Sequence, residues 1–193
     1  MQKILCKITG TSPLLMNRYN IEKQLDSKKL KRVIVQHIPE EEAEEAAYWS
    51  STGKRELVIP TGVIYAALLN ASSFHKINKR SARTILAGAM RVVALDGSEE
   101  IRLGTDKYVI DTRGVVINKA RVPKSRAKLE KWQAEFYIVF NDNLIPNAEH
   151  IRPVLEEAGQ RVGIMDFRPN RSGWFGTFEV DKFQLVEDKK KAK

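Results

Sequence analysis

The sequence predicts a mixed α+β fold in which helices cover one face of an antiparallel sheet, and three observations support this prediction. Short β-compatible runs lie near both ends of the chain, at residues 2–9 and in TFEVDKFQLV. Two segments between them, TGVIYAALLNASSFHK and IPNAEHIRPVLEEAG, carry apolar residues at helical spacing. The aromatic-rich run WQAEFYIVF stands between those segments and is typical of a strand.

Length and composition favour one hydrophobic core. The 193 residues are 42% hydrophobic, which is enough for a single domain with insertions. We expect that domain to span residues 1–186, with insertions at about 17–50 and 96–131. The lysine-rich residues 187–193 are expected to be a disordered basic tail.

The first strand covers residues 2–9 and ends at Gly10, after which Ser12 and Pro13 turn the chain. Residues 17–35 are polar and basic, as expected of a surface excursion. The single cysteine, Cys6, lies in an apolar run and is expected to be a buried structural thiol in a reducing compartment. With no leader-like or membrane-spanning segment apparent, we expect a soluble cytoplasmic protein.

An acidic helix is predicted to begin at Pro39, because carboxylates crowd its first turn and proline suits the first helical position. It is expected to end near Ser50. One interpretation of EEEAEEAAYW is a solvated face, and the alternative is contact with a neighbouring subunit's basic patch.

Two further helices follow a brief strand, ELVIP. The first has Thr61 as its N-cap, and the second has Ser81. The first buries one apolar face against a sheet, made by Val63, Ile64, Ala67, Leu68 and Ala71. In the second, RVVAL fits a helix or a strand, and periodicity alone leaves both open.

The rest of the chain is predicted to hold short β pieces at EEIRL, KYVI and GVVINKARV, then the strand at residues 132–140. A helix capped by Asn147 and stopped by Gly159 follows, with Pro153 as a position where it could bend. When the insertions are left aside, the predicted order of elements along the chain is strand, helix, two or more strands, helix, strand. This order matches the ferredoxin-like, split βαβ plan, whose open sheet face is a common platform for single-stranded nucleic acid.

A glycine-rich loop precedes the last strand, in GIMDFRPNRSGWFGTFEV. Its basic and aromatic residues are suited to phosphates and bases: Arg168, Asn170, Arg171, Trp174 and Phe175. The alternative is an ordinary surface turn before a hairpin strand.

Positive charge is concentrated in two stretches, which together exceed the net charge of +9. Residues 75–91 contain Lys76, Lys79, Arg80 and Arg83, and residues 113–131 contain Arg113, Lys119, Arg121, Lys124 and Arg126. Such clustering favours a groove that follows a phosphate backbone. The alternative is a solvated basic face.

Catalytic signals are sparse, and we expect neither a metal nor a cofactor, because no metal-binding or nucleotide-binding motif is present. His75, beside Lys76, is a weak candidate for a general base in RNA cleavage. Asp26 is a second weak candidate. A structural or solvated histidine is the commoner case.

Three segments resemble the RAMP superfamily of CRISPR-associated proteins. TSPLLM resembles the turn that follows the family's first strand, LVIPTGVIYAALLNASS its strand and helix, and residues 163–176 its glycine-rich loop. The resemblance is nearest to the backbone subunits and implies RRM-like folds that polymerise along a guide RNA.

The resemblance also implies roles for the basic residues. Arg18 would lie in the excursion after the first strand, and Lys76, Arg80 and Arg83 would grip phosphates. Residues 113–126 would form an extended hairpin thumb, and Arg168, Arg171 and Trp174 would lie on the glycine-rich loop.

The leading hypothesis is a non-enzymatic subunit that coats a single-stranded guide RNA, with copies of itself and other ribonucleoprotein subunits as partners. The alternatives are a single-stranded DNA- or RNA-binding protein of a phage or mobile element, and a metal-independent, guide-processing endoribonuclease. An interaction module whose charge serves solubility is a further reading. Composition does not distinguish RNA from DNA.

Overall fold

A computed structural model describes residues 1–19, 37–117 and 119–186. In chain order the strands are β1 (Gln2–Gly10), β2 (Leu14–Leu15), β3 (Val58–Pro60), β4 (Lys76–Ile77), β5 (Arg80–Ser81), β6 (Met90–Ala94), β7 (Glu100–Arg102), β8 (Val109–Ile117), β9 (Ala120–Leu129), β10 (Gln133–Phe140) and β11 (Phe178–Val186). The α-helices are α1 (Pro39–Ala46), α2 (Thr61–Ala71), α3 (Ala82–Ala89) and α4 (Arg152–Glu157). The predicted mixed α+β class is confirmed.

The main sheet has four antiparallel strands in the order β11-β1-β10-β6. Strand β1 alternates as expected of a half-buried strand, because Ile4, Cys6 and Ile8 are fully buried between partly exposed neighbours. Burial raises the pKa of the Cys6 thiol far above its ordinary value, partly opposed by the charge of Arg152. The thiol is therefore a buried structural group, as predicted.

Helices α2 and α4 pack on the same sheet face and close the core. Ile64 and Leu68 of α2 and Val154 and Leu155 of α4 are buried in one cluster with Phe136 from β10. Their burial is the main stabilising contribution to this layer.

Strands β8 and β9 form a long hairpin, paired from Val109↔Lys128 to Ile117↔Ala120. Strand β2 pairs with the base of β9 and thereby ties the hairpin to the end of β1. Helix α1 packs across the same hairpin. The predicted insertion is thus an extended arm anchored at its base.

Two predicted helix ends differ in the structure, and one alternative left open by the sequence is resolved. Helix α1 stops at Ala46, because Ala47 is extended and Tyr48 accepts a hydrogen bond from Val58 N of β3. Thr61 is the first residue of α2 and makes no side-chain cap, since Pro60 occupies the N-cap position. The ambiguous RVVAL is a strand, because residues 90–94 pair with β10.

The last helix also differs from its prediction. Asn147 caps a 3₁₀ turn, accepting a hydrogen bond from Glu149 N at 2.9 Å, and α4 starts after it with Pro153 in its first turn. Gly159 does not stop the helix, which continues as a π-helical turn over Ala158–Val162 and ends at Gly163. Gly159 is instead packed against Phe178, where a larger side chain would clash.

No helix in the described ranges is long and apolar enough to cross a membrane. The predicted disordered tail, residues 187–193, and most of the excursion at residues 17–35 lie outside the described residues.

Candidate nucleic-acid interface

The glycine-rich loop, residues 163–176, is a closed and anchored structure. Gly163 and Gly176 both have φ of 68°, a left-handed conformation that favours glycine. Ile164 N donates to Gly176 O at 2.9 Å, and Gly176 N donates to Pro13 O at 2.8 Å. The glycines therefore close the loop on itself and fix it to the turn between β1 and β2.

An aromatic cluster fills the loop. Phe167, Trp174 and Phe175 contact one another edge to face, with ring centroids 4.8–5.8 Å apart. The guanidinium of Arg113, from β8, lies 4.8 Å from the Phe175 ring centroid. Trp174 is 59% exposed, whereas Phe175 is only 4% exposed. Trp174 alone of these two is available to a ligand.

Two ion pairs involve arginines of the hairpin, one within β8 and one between β9 and the glycine-rich loop. Arg113 pairs with Asp111, and this hydrogen bond lowers the pKa of the Asp111 carboxyl despite its partial burial. Arg126 Nε lies 3.0 Å from Asp166 Oδ2 of the glycine-rich loop. Neither of these two atoms has a well-directed hydrogen bond among the described residues, so their attraction is that of an ion pair.

The acidic helix α1 meets the basic hairpin of its own chain. Glu42 accepts a hydrogen bond from Ser125 N at 2.7 Å and pairs with Lys124 at 3.0 Å. Burial tends to raise the pKa of Glu42, but these contacts outweigh it and the pKa lies below its ordinary value. Glu40, Glu41 and Glu45 are exposed. The solvated-face interpretation therefore holds for one side of the helix only.

A groove of about 300 Å³ lies between α2 and the glycine-rich loop. Gly62, Ala66 and Asn70, each four residues apart, form its α2 side. Gly62 has open space where a side chain would stand. Arg168 lines the opposite side. Small residues on one wall and a cation on the other leave room for a phosphate backbone.

The groove is partly desolvated, and its lining carries charges of both signs, Asp166 and Arg168. Burial lowers the pKa of the Arg168 guanidinium, with the charge of Arg171 adding to the effect and Asp166 opposing it. Burial raises the pKa of Tyr48, which lines the groove, while the nearby charge of Arg18 opposes that shift. Arg18 is itself exposed. Cations thus stand at both sides of the groove.

The same helix face leads to an exposed aromatic ring and a basic turn, here defined as residues 74–83. Phe74, four residues beyond Asn70, is 58% exposed. The guanidinium of Arg161 lies 4.5 Å from its ring centroid. Four predicted residues are exposed on the turn itself: Lys76, Lys79, Arg80 and Arg83. The groove therefore continues toward an aromatic and basic surface.

The predicted binding residues fall into two groups. Arg18 and Arg168 lie at the groove, the four cations of the basic turn lie beyond it, and Arg171 and Trp174 are exposed on the loop. Lys119 and Arg121 are exposed at the hairpin tip. The remaining four have other surroundings, because Arg113 and Lys124 are engaged in intramolecular ion pairs, and Arg126 and Phe175 are buried.

The catalytic candidates are not brought together. His75 is half-buried, and its Nε2 is buried without a hydrogen-bond partner among the described residues. Asp26 lies outside the described residues. Within the described ranges, no cluster of three or more His, Cys, Asp or Glu side chains is arranged to hold a metal ion.

Sequence reasoning missed Tyr48, Asn70 and Asp166 as groove residues. Tyr48 and Asp166 reach the groove only through tertiary packing, which no local sequence pattern reveals. The spacing of Gly62, Ala66 and Asn70 was a readable signal, because small and polar residues at every fourth position mark an unburied helix stripe.

Comparisons with known proteins identify the fold. No protein-family model matches the chain, and no curated protein matches it. Among solved structures, 39 chains match. One belongs to the cryo-EM structure of the Type III-B Cmr-beta bound to cognate target RNA, with a TM-score of 0.60 and 12% identity. The match covers 96% of this chain and 61% of that chain, so this chain spans under two thirds of its length. The chain shares its α+β fold with that chain of the Cmr-beta structure.

Proposed function

We propose that this protein is a non-enzymatic RNA-binding subunit of a CRISPR-type ribonucleoprotein, related to the RAMP superfamily, and that its groove holds a single-stranded guide RNA. The observation that carries the proposal is the groove between α2 and the glycine-rich loop, with Arg18 and Arg168 at its sides and the basic turn beyond it. The fold shared with a chain of the RNA-bound Cmr-beta structure supports it.

The sheet topology supports a ferredoxin-like core. Helix α2 connects β1 to β6, the edge strand, and α4 connects β10 to β11, the other edge. Together with the strand order β11-β1-β10-β6, these connections support the split βαβ plan expected from the sequence. The remaining strands belong to insertions on this core.

The groove suits the backbone of a nucleic acid more than its base edges. Gly62 and Ala66 are exposed and small, so a sugar-phosphate chain can approach the helix closely. Arg168 provides a partly desolvated cation, whose attraction for phosphate is stronger than in open water. Phe74 and Trp174 offer exposed rings for stacking.

The hairpin tip provides a further contact for the same function. Val116 is 74% exposed beside the exposed Lys119 and Arg121. An exposed apolar and basic tip on an anchored arm is suited to reach a neighbouring copy of the chain or the RNA it carries. We therefore propose side-by-side assembly along the RNA.

The experiment is a salt titration of affinity for labelled oligouridylate and oligothymidylate of equal length, followed by fluorescence anisotropy. We expect affinity to fall steeply between about 50 and 500 mM salt, because each neutralised phosphate releases counterions. Tighter binding of the ribose form supports a guide-RNA role, and tighter binding of the deoxyribose form redirects the proposal to a single-stranded DNA coat. Binding that is absent or insensitive to salt contradicts the proposal. Intact RNA after incubation with excess protein is expected of a non-enzymatic subunit.

A further inference from the structure

The face of the main sheet opposite α2 and α4 has a composition of its own. Side chains alternate between the two faces along each strand, so the residues between the core positions project outward. They form three rows across the sheet, and the exposure of Arg91, Glu135, Lys182 and Gln184 shows that solvent reaches this face. We call it the open sheet face, and its members are Lys3, Leu5, Lys7, Arg91, Val93, Glu135, Tyr137, Val139, Lys182 and Gln184.

Tyr137 lies at the centre of the open sheet face. It pairs with Leu5 on β1 and with Val93 on β6, so apolar side chains flank its ring. The ammonium of Lys3 lies 4.6 Å from the ring centroid. The flexible Lys3 side chain covers the ring as a cation–π partner, and when its ammonium moves to a phosphate the ring becomes a stacking platform for a base.

Charge on the open sheet face is separated along the strands. Lys3 and Arg91 lie in the row next to Tyr137, and Lys182 lies in the row on its other side. The carboxylate of Glu135 is neutralised by Lys7 at 3.5 Å. Glu179 and Asp181 lie at the far end, near Thr9, and Asp142 pairs with the N-terminal ammonium at 3.0 Å.

We propose that the open sheet face is a second binding surface for single-stranded nucleic acid, with one base stacked on Tyr137 and the adjoining phosphates near Lys3, Arg91 and Lys182. The proposal extends beyond the function proposed for the groove, because the groove lies on the helix-covered side and the two surfaces share no residues. Lys3, Arg91 and Lys182 have no acidic partner among residues 1–19, 37–117 and 119–186, so a polyanion complements them, whereas a neutral protein surface would leave them desolvated.

The test combines crosslinking with two matched pairs of variants. Oligouridylate containing 4-thiouridine is bound to the full chain and irradiated, and the crosslinked peptides are identified by mass spectrometry. Gly62→Leu fills the groove without an internal clash and leaves the open sheet face untouched. Affinity is then measured for Tyr137→Ala against Tyr137→Phe, and for Lys3→Glu against Lys54→Glu, an equal charge change at an exposed residue that belongs to neither surface.

The expected result is a crosslink in the peptide containing Tyr137 that persists in Gly62→Leu. When they are introduced into the Gly62→Leu protein, Tyr137→Ala and Lys3→Glu should each weaken its affinity for RNA by roughly tenfold. Tyr137→Phe and Lys54→Glu, introduced in the same way, should leave that affinity unchanged. Thermal unfolding checks that Tyr137→Ala remains folded, and Lys3→Glu tests the surface without removing the Tyr137 ring.

No crosslink near Tyr137, together with equal affinities for Lys3→Glu and Lys54→Glu, overturns the inference and leaves a protein partner as the occupant to seek. Crosslinks at Tyr137 but none at the groove would overturn the proposed function and keep this inference.

Discussion

Arg126 Nε of the hairpin lies 3.0 Å from Asp166 Oδ2 of the glycine-rich loop, with the two side chains only 11% and 32% exposed. Together with the stacking of Arg113 on Phe175, this ion pair joins the hairpin base to one wall of the groove. The extended arm and the groove are therefore connected by side-chain contacts. Arg113 and Arg126, which the sequence predicted to bind phosphate, therefore make contacts within the protein that stabilise this connection.

Removing one partner of this pair should destabilise the protein unequally. Asp166→Asn leaves the more buried Arg126 without a counter-charge, and we expect a loss of about 2 kcal/mol in the free energy of unfolding. Arg126→Met leaves Asp166, which is nearer to solvent, and should cost less. Urea unfolding followed by circular dichroism measures both. A larger loss of unfolding free energy for Arg126→Met than for Asp166→Asn would argue against Asp166 as the main counter-charge of Arg126.

Stability should fall in acid through Glu42. Its folded-state pKa lies below the ordinary value of 4.5, because the contacts from Ser125 N and Lys124 outweigh burial. A group with a lowered folded pKa contributes stability that is present above its unfolded pKa and is lost as pH falls through the folded pKa. Glu42→Gln should therefore be less stable than the native protein at neutral pH, with the difference shrinking below about pH 4. Thermal unfolding at a series of pH values checks this, and a constant difference at every pH would refute it.

Trp174 and Phe175, adjacent in the chain, should respond oppositely to truncation. Phe175 is 4% exposed, so Phe175→Ala should cost about 3 kcal/mol of stability through the cavity it leaves. Trp174 is 59% exposed, so Trp174→Ala should cost about 1 kcal/mol or less while weakening RNA binding several-fold. Unfolding and anisotropy measurements on the two variants make the comparison. Unchanged RNA affinity in Trp174→Ala would exclude a stacking role for that ring.

Local patterns predicted the elements of the fold where one face of an element is buried. Alternation in residues 2–9 and the helical spacing of Ile64, Leu68 and Ala71 are such patterns, and the structure has β1 and α2 there. The prediction erred where a tertiary contact decides the end of an element. Ala47 leaves the helix because the chain must bridge to β3, and Gly159 stays helical because its missing side chain admits Phe178.

The candidate site was predictable only in part for the same reason. The sequence located the cations but not their partners, and Asp111, Glu42 and Asp166 determine which of them are free. Arg126 is the clearest case, since its partner lies in a distant loop and its position on the hairpin looks solvated. Exposure of a charge depends on packing between segments, which composition does not encode.

The most direct test of the groove is the RNA affinity of Gly62→Leu compared with Gly88→Leu. Both glycines lie in helices, are exposed and have open space where a side chain would stand, but only Gly62 lines the groove. Both variants should fold with unchanged or slightly greater stability, because leucine favours helix more than glycine does. We predict a loss of RNA affinity of about tenfold or more for Gly62→Leu and none for Gly88→Leu. Equal affinities in the two variants would contradict the groove as the guide-binding surface.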